Sequence, residues 1–347
     1  MLPEWVPSAE EYCQFIFRAH QESTNAISVG EGGSGVHVGI LDSAQTLPGT
    51  EDASTPIEHE RSFIESDEYL TTPHATRVYD LIQQYAPYTT VSLYQVIDSN
   101  GDLGVGPYHD AIDAAISDGV DILNVSIGDS WDVPVYAHPL YKKTQEAIDA
   151  GITIVAAAGN DETEQGELPV HVPAVVGDVI AVNGFVTHCP QSKSDIHDRP
   201  NSGPYYLDIE TDSVSQLADG VFCGYNGCDG SSCLSKQTDA SWWANPRAKN
   251  GKPDVAAPVI YPDTTEDTLD FLEGSSYAAP IVTGILAEAF GEIKGQATSL
   301  PDPADVRDMV RETSSPIRES QIRKINGYKV HEQISRMCEG DETRLSH

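Results

Sequence analysis

Basic residues are scarce in this 347-residue chain. Lys and Arg number 20 against 54 Asp and Glu, so the formal net charge is −34. A surface this acidic repels nucleic acid and anionic membranes, which argues against both as binding partners. Dense carboxylates hold water and cations, and they repel one another unless salt screens them. We interpret the acidity as adaptation to a salt-filled cytoplasm, as in halophiles; an acidic protein of an ordinary habitat is the alternative.

Long apolar runs are also lacking. No stretch approaches the roughly 18 consecutive apolar residues of a membrane-spanning helix. The first residues, MLPEWVPSAEEYCQF, contain neither a basic nor an apolar segment, so we expect no signal peptide and a cytoplasmic location. With 39% apolar residues, the chain can still bury a large core, in one big domain or two ordinary ones.

Cysteine is infrequent, and its pattern is ambiguous. The six cysteines occupy positions 13, 189, 223, 228, 233 and 338, three of them in the stretch CGYNGCDGSSC. An even number suits disulfides, whereas the lack of an export signal favours free thiols. The C-x4-C-x4-C spacing is not the usual zinc pattern, although His188 and His197 lie upstream. Free thiols, disulfides and a structural metal therefore remain three alternatives.

The chain does contain a regular alternation of strand and helix patterns. Short β-rich runs bounded by Gly or Asp turns alternate with helical periodicity, which predicts an α/β fold with a doubly wound, mostly parallel sheet flanked by helices. The strands are predicted at 36–42, 89–98, 121–128, 152–160 and 179–185, and order resumes at 252–260. The helices are predicted at 74–86, 106–120, 136–150, 276–291 and 303–313, with a helix or hairpin near 325–337.

Three segments are predicted along the chain. Residues 1–34 form an N-terminal arm with a helix over 8–20, for which Ser8 is a candidate N-cap. The main domain extends over 35–335, with an irregular, cysteine-containing insertion at about 187–250. An acidic tail follows at 336–347.

Residues whose side chains could take part in catalysis or binding lie directly after the predicted strands or at the starts of the predicted helices. In an open α/β sheet, ligands gather at the carboxyl ends of the strands. Taken singly, each of these residues has an ordinary structural explanation as a turn residue, an exposed side chain or a helix cap. They are an acid, a base, an amide and hydroxyls: Asp42, His74, Asn160, Ser126 in Ser126-Ile127-Gly128, and the pair Ser275-Ser276.

The local contexts of these residues resemble the subtilisin-like serine proteases. The stretches that carry the resemblance are VGILDSA, PHATRVYDLI, NVSIGD, AAAGND, KPDVAAP and GSSYAAPIVTG. Together they cover about 35–335, with the 187–250 insertion outside the resemblance. The last motif is the most specific, since all but one of its marked positions hold: Gly274, Ser276, Ala278, Pro280, Val282 and Gly284, with Ser275 replacing Thr.

This resemblance implies a catalytic triad of Asp42, His74 and Ser276. Asn160 would supply the side-chain donor of an oxyanion hole, and Ser275 would serve local structure. An extended substrate would bind between two segments: Ser126, Ile127 and Gly128 on one side, and Ala157, Ala158 and Gly159 on the other. The small residues over 156–159 lead us to expect a roomy, neutral primary pocket.

Several features depart from the family pattern. Ala75 stands where glycine is usual, and Tyr277 where methionine is common. The short turn QQYAPYTT leaves no room for the family's usual calcium loop, so no cofactor is firmly implied, although weaker calcium or monovalent sites stay open. Residues 1–34 are too short for a folding propeptide, which suggests an intracellular member of the family.

The resulting hypothesis is a serine endopeptidase that hydrolyses extended or unfolded polypeptides through an acyl-enzyme intermediate. Two alternatives keep the same fold. One is a catalytically silent peptide-binding module, which a missing triad or oxyanion residue would indicate. The other is a peptide ligase or cyclase that uses the same triad and resolves the acyl-enzyme with an amine.

Overall fold

The computed structural model describes the greater part of the predicted main domain. The described residues are 17, 20–21, 23–26, 32–43, 57–64, 73–98, 101–129, 134–160, 170–185, 252–265, 268–294, 299–316 and 323–342. The predicted helix over 8–20 lies almost wholly outside these residues, and the insertion at about 187–250 and all cysteine side chains lie outside them.

One nine-stranded sheet dominates the described part of the chain. Its strands are β1 His37–Asp42, β2 Ile57–Ser62, β3 Thr90–Gln95, β4 Ile122–Val125, β5 Thr153–Ala157, β6 Ile180–Phe185, β7 Val255–Pro258, β10 Ser315–Pro316 and β11 Arg323–Lys324. Their spatial order is β10-β11-β7-β6-β5-β4-β1-β3-β2, and every neighbouring pair is parallel except β10 and β11. Two further strands, β8 Ile260–Thr265 and β9 Thr268–Glu273, form a separate antiparallel hairpin.

Helices cover both faces of the sheet. They are α1 His74–Tyr85, α2 Val105–Asp118, α3 Pro139–Asp149, α4 Ser275–Ile293, α5 Pro303–Thr313 and α6 Gly327–Glu342, with a 3₁₀ turn at Val135–Ala137. Residues of α1, α4, α5 and α6 share one hydrophobic core, and those of α2 and α3 share the other. No helix in the described ranges is long and apolar enough to cross a membrane.

The topology confirms the predicted doubly wound, mostly parallel α/β fold. The chain moves from β1 towards β3 and β2 on one side of the sheet, then crosses back to β4 on the other side. Because the strand order reverses at the pair β1 and β4, a crevice opens between their carboxyl ends. Asp42 ends β1, and Ser126 directly follows β4.

Two elements escape the sequence pattern. β2, with the sequence IEHERS, is polar and charged because it is an edge strand with a single neighbour, and exposed residues alternate along it. The β8–β9 hairpin includes Pro262 and several acidic residues, which weaken any strand signal. Both segments form strands because they pair with a neighbouring strand, and this pairing leaves no periodic pattern in their own sequence.

The predicted bounds of the main domain at 35 and 335 stay a prediction, and two observations concern its ends. Helix α6 continues past residue 335 to Glu342, so the predicted start of the tail falls inside a helix. The N-terminal arm packs against the beginning of the same helix, where Thr24 and Asn25 accept backbone hydrogen bonds from Gly327 (2.7 Å) and Tyr328 (3.1 Å).

Candidate active site

Asp42 and His74 form a closely bonded pair at the end of β1. The two carboxylate oxygens of Asp42 lie 2.9 and 3.0 Å from Nδ1 of His74. The Asp42 side chain is 1% exposed, and its Oδ1 also accepts hydrogen bonds from the N–H (2.7 Å) and the hydroxyl (2.9 Å) of Ser43. A carboxylate at Nδ1 keeps the hydrogen on that nitrogen, so Nε2 carries the lone pair of the neutral imidazole.

The surroundings of His74 include groups that raise its pKa and others that lower it. Burial is the largest influence and lowers the pKa, because it disfavours the charged imidazolium. The charge of Asp42 and its hydrogen bond raise the pKa, whereas Arg77 lowers it. The net result is a pKa above the usual 6.5, so Asp42 makes His74 a stronger base.

Ser276 lies in the first turn of α4 and is tied to the loop after β4. Its hydroxyl donates to the backbone carbonyl of Ser126 (2.8 Å), and the Ser126 hydroxyl donates back to the Ser276 carbonyl (2.9 Å). Asn124 donates to Oγ of Ser126 (2.8 Å) and accepts from Thr283 (2.9 Å). This network therefore joins the carboxyl end of β4 to α4 at two points.

The Ser126 hydroxyl also compensates for the helical hydrogen bond that a proline inside α4 removes. Pro280 is the sixth residue of α4, so it deprives the Ser276 carbonyl of its i+4 donor. This position costs α4 one helical hydrogen bond. The Ser126 hydroxyl donates in place of the missing N–H, so the partly buried Ser276 carbonyl keeps a hydrogen-bond partner.

The Ser276 proton is not directed at His74 in this structure, since it is shared with the Ser126 carbonyl. Transfer to the imidazole requires the Ser276 side chain to exchange that bond for one to Nε2. Such exchanges are ordinary, because catalytic hydrogen bonds often tighten only when substrate binds. The ring of Tyr277 lies 5.6 Å from that of His74, centroid to centroid.

Asn160 is held beside the start of α4 through its carbonyl oxygen. Oδ1 accepts from the N–H and from the hydroxyl of Ser275, both at 2.8 Å. The Ser275 hydroxyl also contacts the backbone of Gly159, and the Ser275 side chain is fully buried. With Oδ1 occupied, the amide nitrogen of Asn160 faces Gly274, where an added Cβ would lie 3.1 Å from it.

The backbone N–H of Ser276 directly follows that of Ser275, which donates to Oδ1 of Asn160. It belongs to the first turn of α4, where no earlier helical carbonyl is available to accept from N–H groups. The positive end of the helix dipole also lies at this N-terminus of α4 and favours negative charge there. Asn160 and the Ser276 N–H can therefore act together as donors to a developing oxyanion.

The two segments expected to bind substrate differ in what they present. Strand β4 ends at Val125, and no described residue makes a backbone hydrogen bond to Ile127 or Gly128. On the other side, the side chains of Ala157 and Ala158 are buried in the two opposite cores. The segment 157–159 therefore presents backbone groups and Gly159 to a substrate, and not the methyl groups of the two alanines.

A histidine that the motifs did not single out lies between these segments. A Cβ on Gly159 would lie 2.8 Å from Cγ and Cδ2 of His171, and a Cβ on Gly128 would lie 2.9 Å from Cβ of His171. The imidazole thus occupies the space between the two glycines. The roomy, neutral pocket expected from the small residues at 156–159 stays a prediction.

Tyr277 belongs to a row of aromatic rings that ends at His74. Its side chain is 7% exposed, and its ring lies 5.6 Å from that of Tyr261. Tyr261 contacts Phe17 of the N-terminal arm at 5.8 Å and donates its hydroxyl to Asp80 on α1 (2.8 Å). The row packs one side of the imidazole against residues from the arm, the β8–β9 hairpin and α4.

The connection between α1 and β3 is short, as the sequence suggested. Residues 86–89 form it, and Tyr88 donates its N–H to the carbonyl of Gly32 (2.9 Å). Within the described residues there is no group of three or more His, Cys, Asp or Glu side chains that could hold a metal ion. The absence of a firmly implied cofactor stays a prediction.

Comparisons with known proteins agree with this architecture. Subtilisin E of Bacillus subtilis (strain 168) is 29% identical over 242 residues, which cover 63% of this chain and 58% of that relative. A solved lanthipeptide protease superposes with a TM-score of 0.60 at 19% identity, covering 95% of this chain and 96% of the other. The prenylagaramide maturation protease PagA gives 0.55 at 20% identity, covering 95% and 99%.

These two structural similarities establish the fold. The match to Subtilisin E spans somewhat more than half of that relative's length. The family assignment comes from the family model described as "Subtilase family", which matches residues 64–331. This match covers most of the chain, including the segments that contain His74, Asn160 and Ser276. The chain belongs to the subtilase family.

Proposed function

We propose that this protein is a serine endopeptidase that hydrolyses peptide bonds of extended polypeptides. The observation that carries the proposal is the Asp42–His74 pair, with both carboxylate oxygens within 3.0 Å of Nδ1. This pair leaves Nε2 as a base whose pKa is raised by the carboxylate, as a proton acceptor for a serine hydroxyl requires. Ser276 is the serine at the first turn of α4, next to two candidate oxyanion donors.

The proposed reaction has two halves. In the first, Nε2 of His74 takes the Ser276 proton while Oγ attacks the scissile carbonyl carbon, and the Ser276 N–H and Asn160 amide stabilise the oxyanion. His74 then gives the proton to the leaving amine as the C–N bond breaks. In the second half, His74 takes a proton from water as the water oxygen attacks the acyl carbon. The bond between that carbon and Oγ of Ser276 then breaks, His74 returns the proton to Oγ, and the new carboxyl end leaves.

An extended backbone is the substrate shape that the site supports best. The stretch Ile127-Gly128 follows β4 at the crevice and has no backbone partner among the described residues. Backbone groups left in this state can pair with an added strand of substrate. Of two proteins of similar fold, one is titled a lanthipeptide protease and the other the prenylagaramide maturation protease PagA. Because they are only 19% and 20% identical to this chain, its substrate is argued from its own site.

Hydrolysis of an unfolded, dye-quenched polypeptide in multimolar KCl tests this proposal, with wild type compared to Ser276→Ala. We expect cleavage by the wild type and a loss of about 10⁴-fold or more in the variant, because the nucleophile is absent. Thermal unfolding of both proteins must show that each is folded. Equal cleavage by both would contradict the proposal.

Two other outcomes would redirect the proposal. A folded wild-type protein that binds the unfolded chain without cutting it would be a peptide-binding member of the family. Transfer of the acyl group to an added amine in preference to water would indicate a ligase or cyclase. Mass spectrometry of the products distinguishes hydrolysis from transfer, because only transfer joins the amine to the new carboxyl end.

A further inference from the structure

The row of aromatic rings beside His74 extends from the active site to the N-terminal arm. Its members are Phe17 of the arm, Tyr261 of β8 and Tyr277 of α4, and the imidazole of His74 ends it. Along the row, neighbouring ring centroids are 5.8, 5.6 and 5.6 Å apart. Aromatic rings in direct contact have centroids at such distances. A displacement of Phe17 or Tyr261 can therefore be passed on to the imidazole.

Tyr261 is fixed by contacts from several directions. Its ring is buried, and its hydroxyl donates to Oδ2 of Asp80 (2.8 Å). The guanidinium carbon of Arg77 lies 5.9 Å from the centroid of the same ring. Asp80 and Arg77 both belong to α1, the helix that begins with His74. Together with the contact from Phe17, these interactions make Tyr261 the junction between the arm, β8 and the helix of the proposed base.

The arm itself is packed firmly on two helices. Gln21 donates its side-chain amide to the backbone carbonyl of Gln84 near the end of α1 (2.7 Å). At the start of α6, a Cβ on Gly327 would lie 2.9 Å from Cα and Cβ of Ala26, so the two backbones are in close contact. These contacts anchor the chain just after Phe17. The ring of Phe17 is therefore held in a defined place beside the row.

We propose that Phe17 and Tyr261 are positioning residues for His74, which they keep in place through the ring of Tyr277. This inference rests on the proposed function, because it adds residues to the machinery of the same site. The N-terminal arm then contributes a side chain on which the rate of the reaction depends, although Phe17 and the imidazole are separated by two other rings.

The need for such packing follows from how His74 is held. Asp42 binds the imidazole at Nδ1, which restrains one edge of the ring and leaves its face to be supported by packing. Tyr277 provides that support, and it keeps its own position because Tyr261 fills the space behind it. In a close-packed interior, removal of one ring lets its neighbours shift. A shift of about 1 Å in a catalytic group can lower the rate by about 10²-fold.

The row also affects the charge state of His74. The charged groups that act on its imidazole are Asp42, which raises the pKa, and Arg77, which lowers it, and burial lowers it further. Loss of the Tyr261 ring would admit water and release Arg77 from its place over that ring. Both changes raise the pKa of His74. Loss of Phe17 would act in the same direction through the entry of water.

Steady-state kinetics on one fluorogenic peptide, with the full chain at a fixed KCl concentration, test the proposal. The variants are Phe17→Ala, Tyr261→Leu, which removes the ring, and Tyr261→Phe, which removes only the hydroxyl. Tyr328→Ala is the matched control, since that ring is 59% exposed beside the arm, and its N–H still donates to Asn25 after substitution. Thermal unfolding shows which variants are folded at the assay temperature, and each kcat/KM is measured across pH.

We expect Phe17→Ala and Tyr261→Leu to lower kcat by about tenfold to 10²-fold with little change in KM. In both, the midpoint of the acidic limb of kcat/KM should move to higher pH. Tyr261→Phe keeps the ring, so its kcat and midpoint should stay close to those of the wild type. Tyr328→Ala should match the wild type. If Phe17→Ala does not fold, Tyr261→Leu decides alone.

Several results would overturn this inference while leaving the proposed function intact. They are an unchanged kcat in folded Tyr261→Leu, a change confined to KM, a lower kcat with an unmoved midpoint, an equal loss in Tyr261→Phe, and an equal loss in Tyr328→Ala. If folded wild type cuts no peptide and fails to react with a fluorophosphonate at Ser276, the proposed function itself fails, and the inference fails with it. The two failures are therefore distinguishable.

Discussion

At the residue scale, Asp42 determines how His74 can act. Its carboxylate holds the hydrogen on Nδ1, and in the proposed reaction it stabilises the imidazolium that forms when His74 accepts a proton. Replacing it by Asn in Asp42→Asn retains the shape but allows the amide to donate to Nδ1, which turns the imidazole lone pair away from Ser276. We expect kcat to fall about 10⁴-fold with little change in thermal stability. Steady-state kinetics check this, and a loss below tenfold would contradict it.

The pKa of His74 predicts the acidic side of the pH profile. Only neutral His74 can accept the Ser276 proton, so activity rises as pH rises through its pKa. Since Asp42 raises that pKa above 6.5, we expect half-maximal kcat/KM at a pH above 6.5 and a plateau beyond it. In Asp42→Asn the residual activity should have its midpoint at lower pH. A wild-type midpoint clearly below 6.5 would show that another group controls the rate.

Asn160 gives a prediction about transition-state binding. Its Oδ1 accepts from Ser275, and in the proposed reaction its amide nitrogen donates to the substrate oxyanion. We expect Asn160→Ala to lower kcat by about 10²–10³-fold while KM changes little, because the bond forms fully only in the transition state. Kinetics on a single peptide separate the two parameters. A change confined to KM would assign Asn160 to ground-state binding.

How far these residues could be predicted from the sequence depends on the range of their contacts. Asp42, His74, Asn160 and Ser276 each lie in a short motif at the end of a strand or the start of a helix, where local pattern and function coincide. His171 has no such motif, because its position between Gly128 and Gly159 comes from the pairing of Val172 with Asp129. That contact is tertiary, and a lone histidine in a sequence does not reveal it.

At the scale of elements, α1 and α4 must lie close together because they contain His74 and Ser276. The helices approach each other closely at Gly284: a Cβ there would lie 2.8 Å from Cβ of Tyr85 and 3.0 Å from the carbonyl oxygen of Ile82. We expect Gly284→Ala to push the helices apart and to lower the free energy of unfolding by about 1–3 kcal/mol. Chemical denaturation measures this loss.

A matched glycine in α2 provides the control for that substitution. A Cβ on Gly106 would meet no atom within 4 Å, so Gly106→Ala adds a methyl group in open space. Helix propensity then predicts a change between zero and about 1 kcal/mol of added stability. Equal destabilisation by both substitutions would show that the α1–α4 contact is not the cause.

Another element-scale prediction concerns the buried ion network that joins β7 to α5. Asp254 accepts hydrogen bonds from Lys252 (2.7 Å) and Arg307 (2.9 Å), and its side chain is fully buried. Burial lowers the pKa of Lys252 to about 8, although Asp254 opposes that shift. We expect Asp254→Asn to cost about 3–5 kcal/mol in the free energy of unfolding, because it leaves buried positive charge uncompensated. A loss under 1 kcal/mol would contradict this.

The elements that the sequence predicted share one property. β1, β3, β4, β5 and β6 are buried on both faces, so they read as short apolar runs between turns. β2 is exposed at the edge, and the β8–β9 hairpin stands apart from the sheet, so neither has that pattern. Periodicity therefore predicted the strands whose burial on both faces requires apolar residues. It did not predict the exposed edge strand or the separate hairpin, whose structure depends on pairing with a neighbouring strand.

At the scale of the whole molecule, the net charge of −34 predicts a dependence on salt. Self-repulsion between carboxylates favours expanded states, and added ions screen it. We expect the melting temperature to rise steadily from dilute buffer to multimolar KCl, and activity to rise with it. Thermal unfolding across a KCl series checks this. An unchanged melting temperature and activity would make the acidity an incidental feature rather than an adaptation to a salt-filled cytoplasm.

The central claim is that Ser276 is a nucleophile activated by His74 and Asp42. The most direct measurement is labelling with a fluorophosphonate in multimolar KCl, followed by peptide mapping of the modified residue. The account predicts a single adduct on Ser276 in the wild type and none on folded Ser276→Ala. An adduct on Ser275 or elsewhere, or equal labelling of the two proteins, would contradict it.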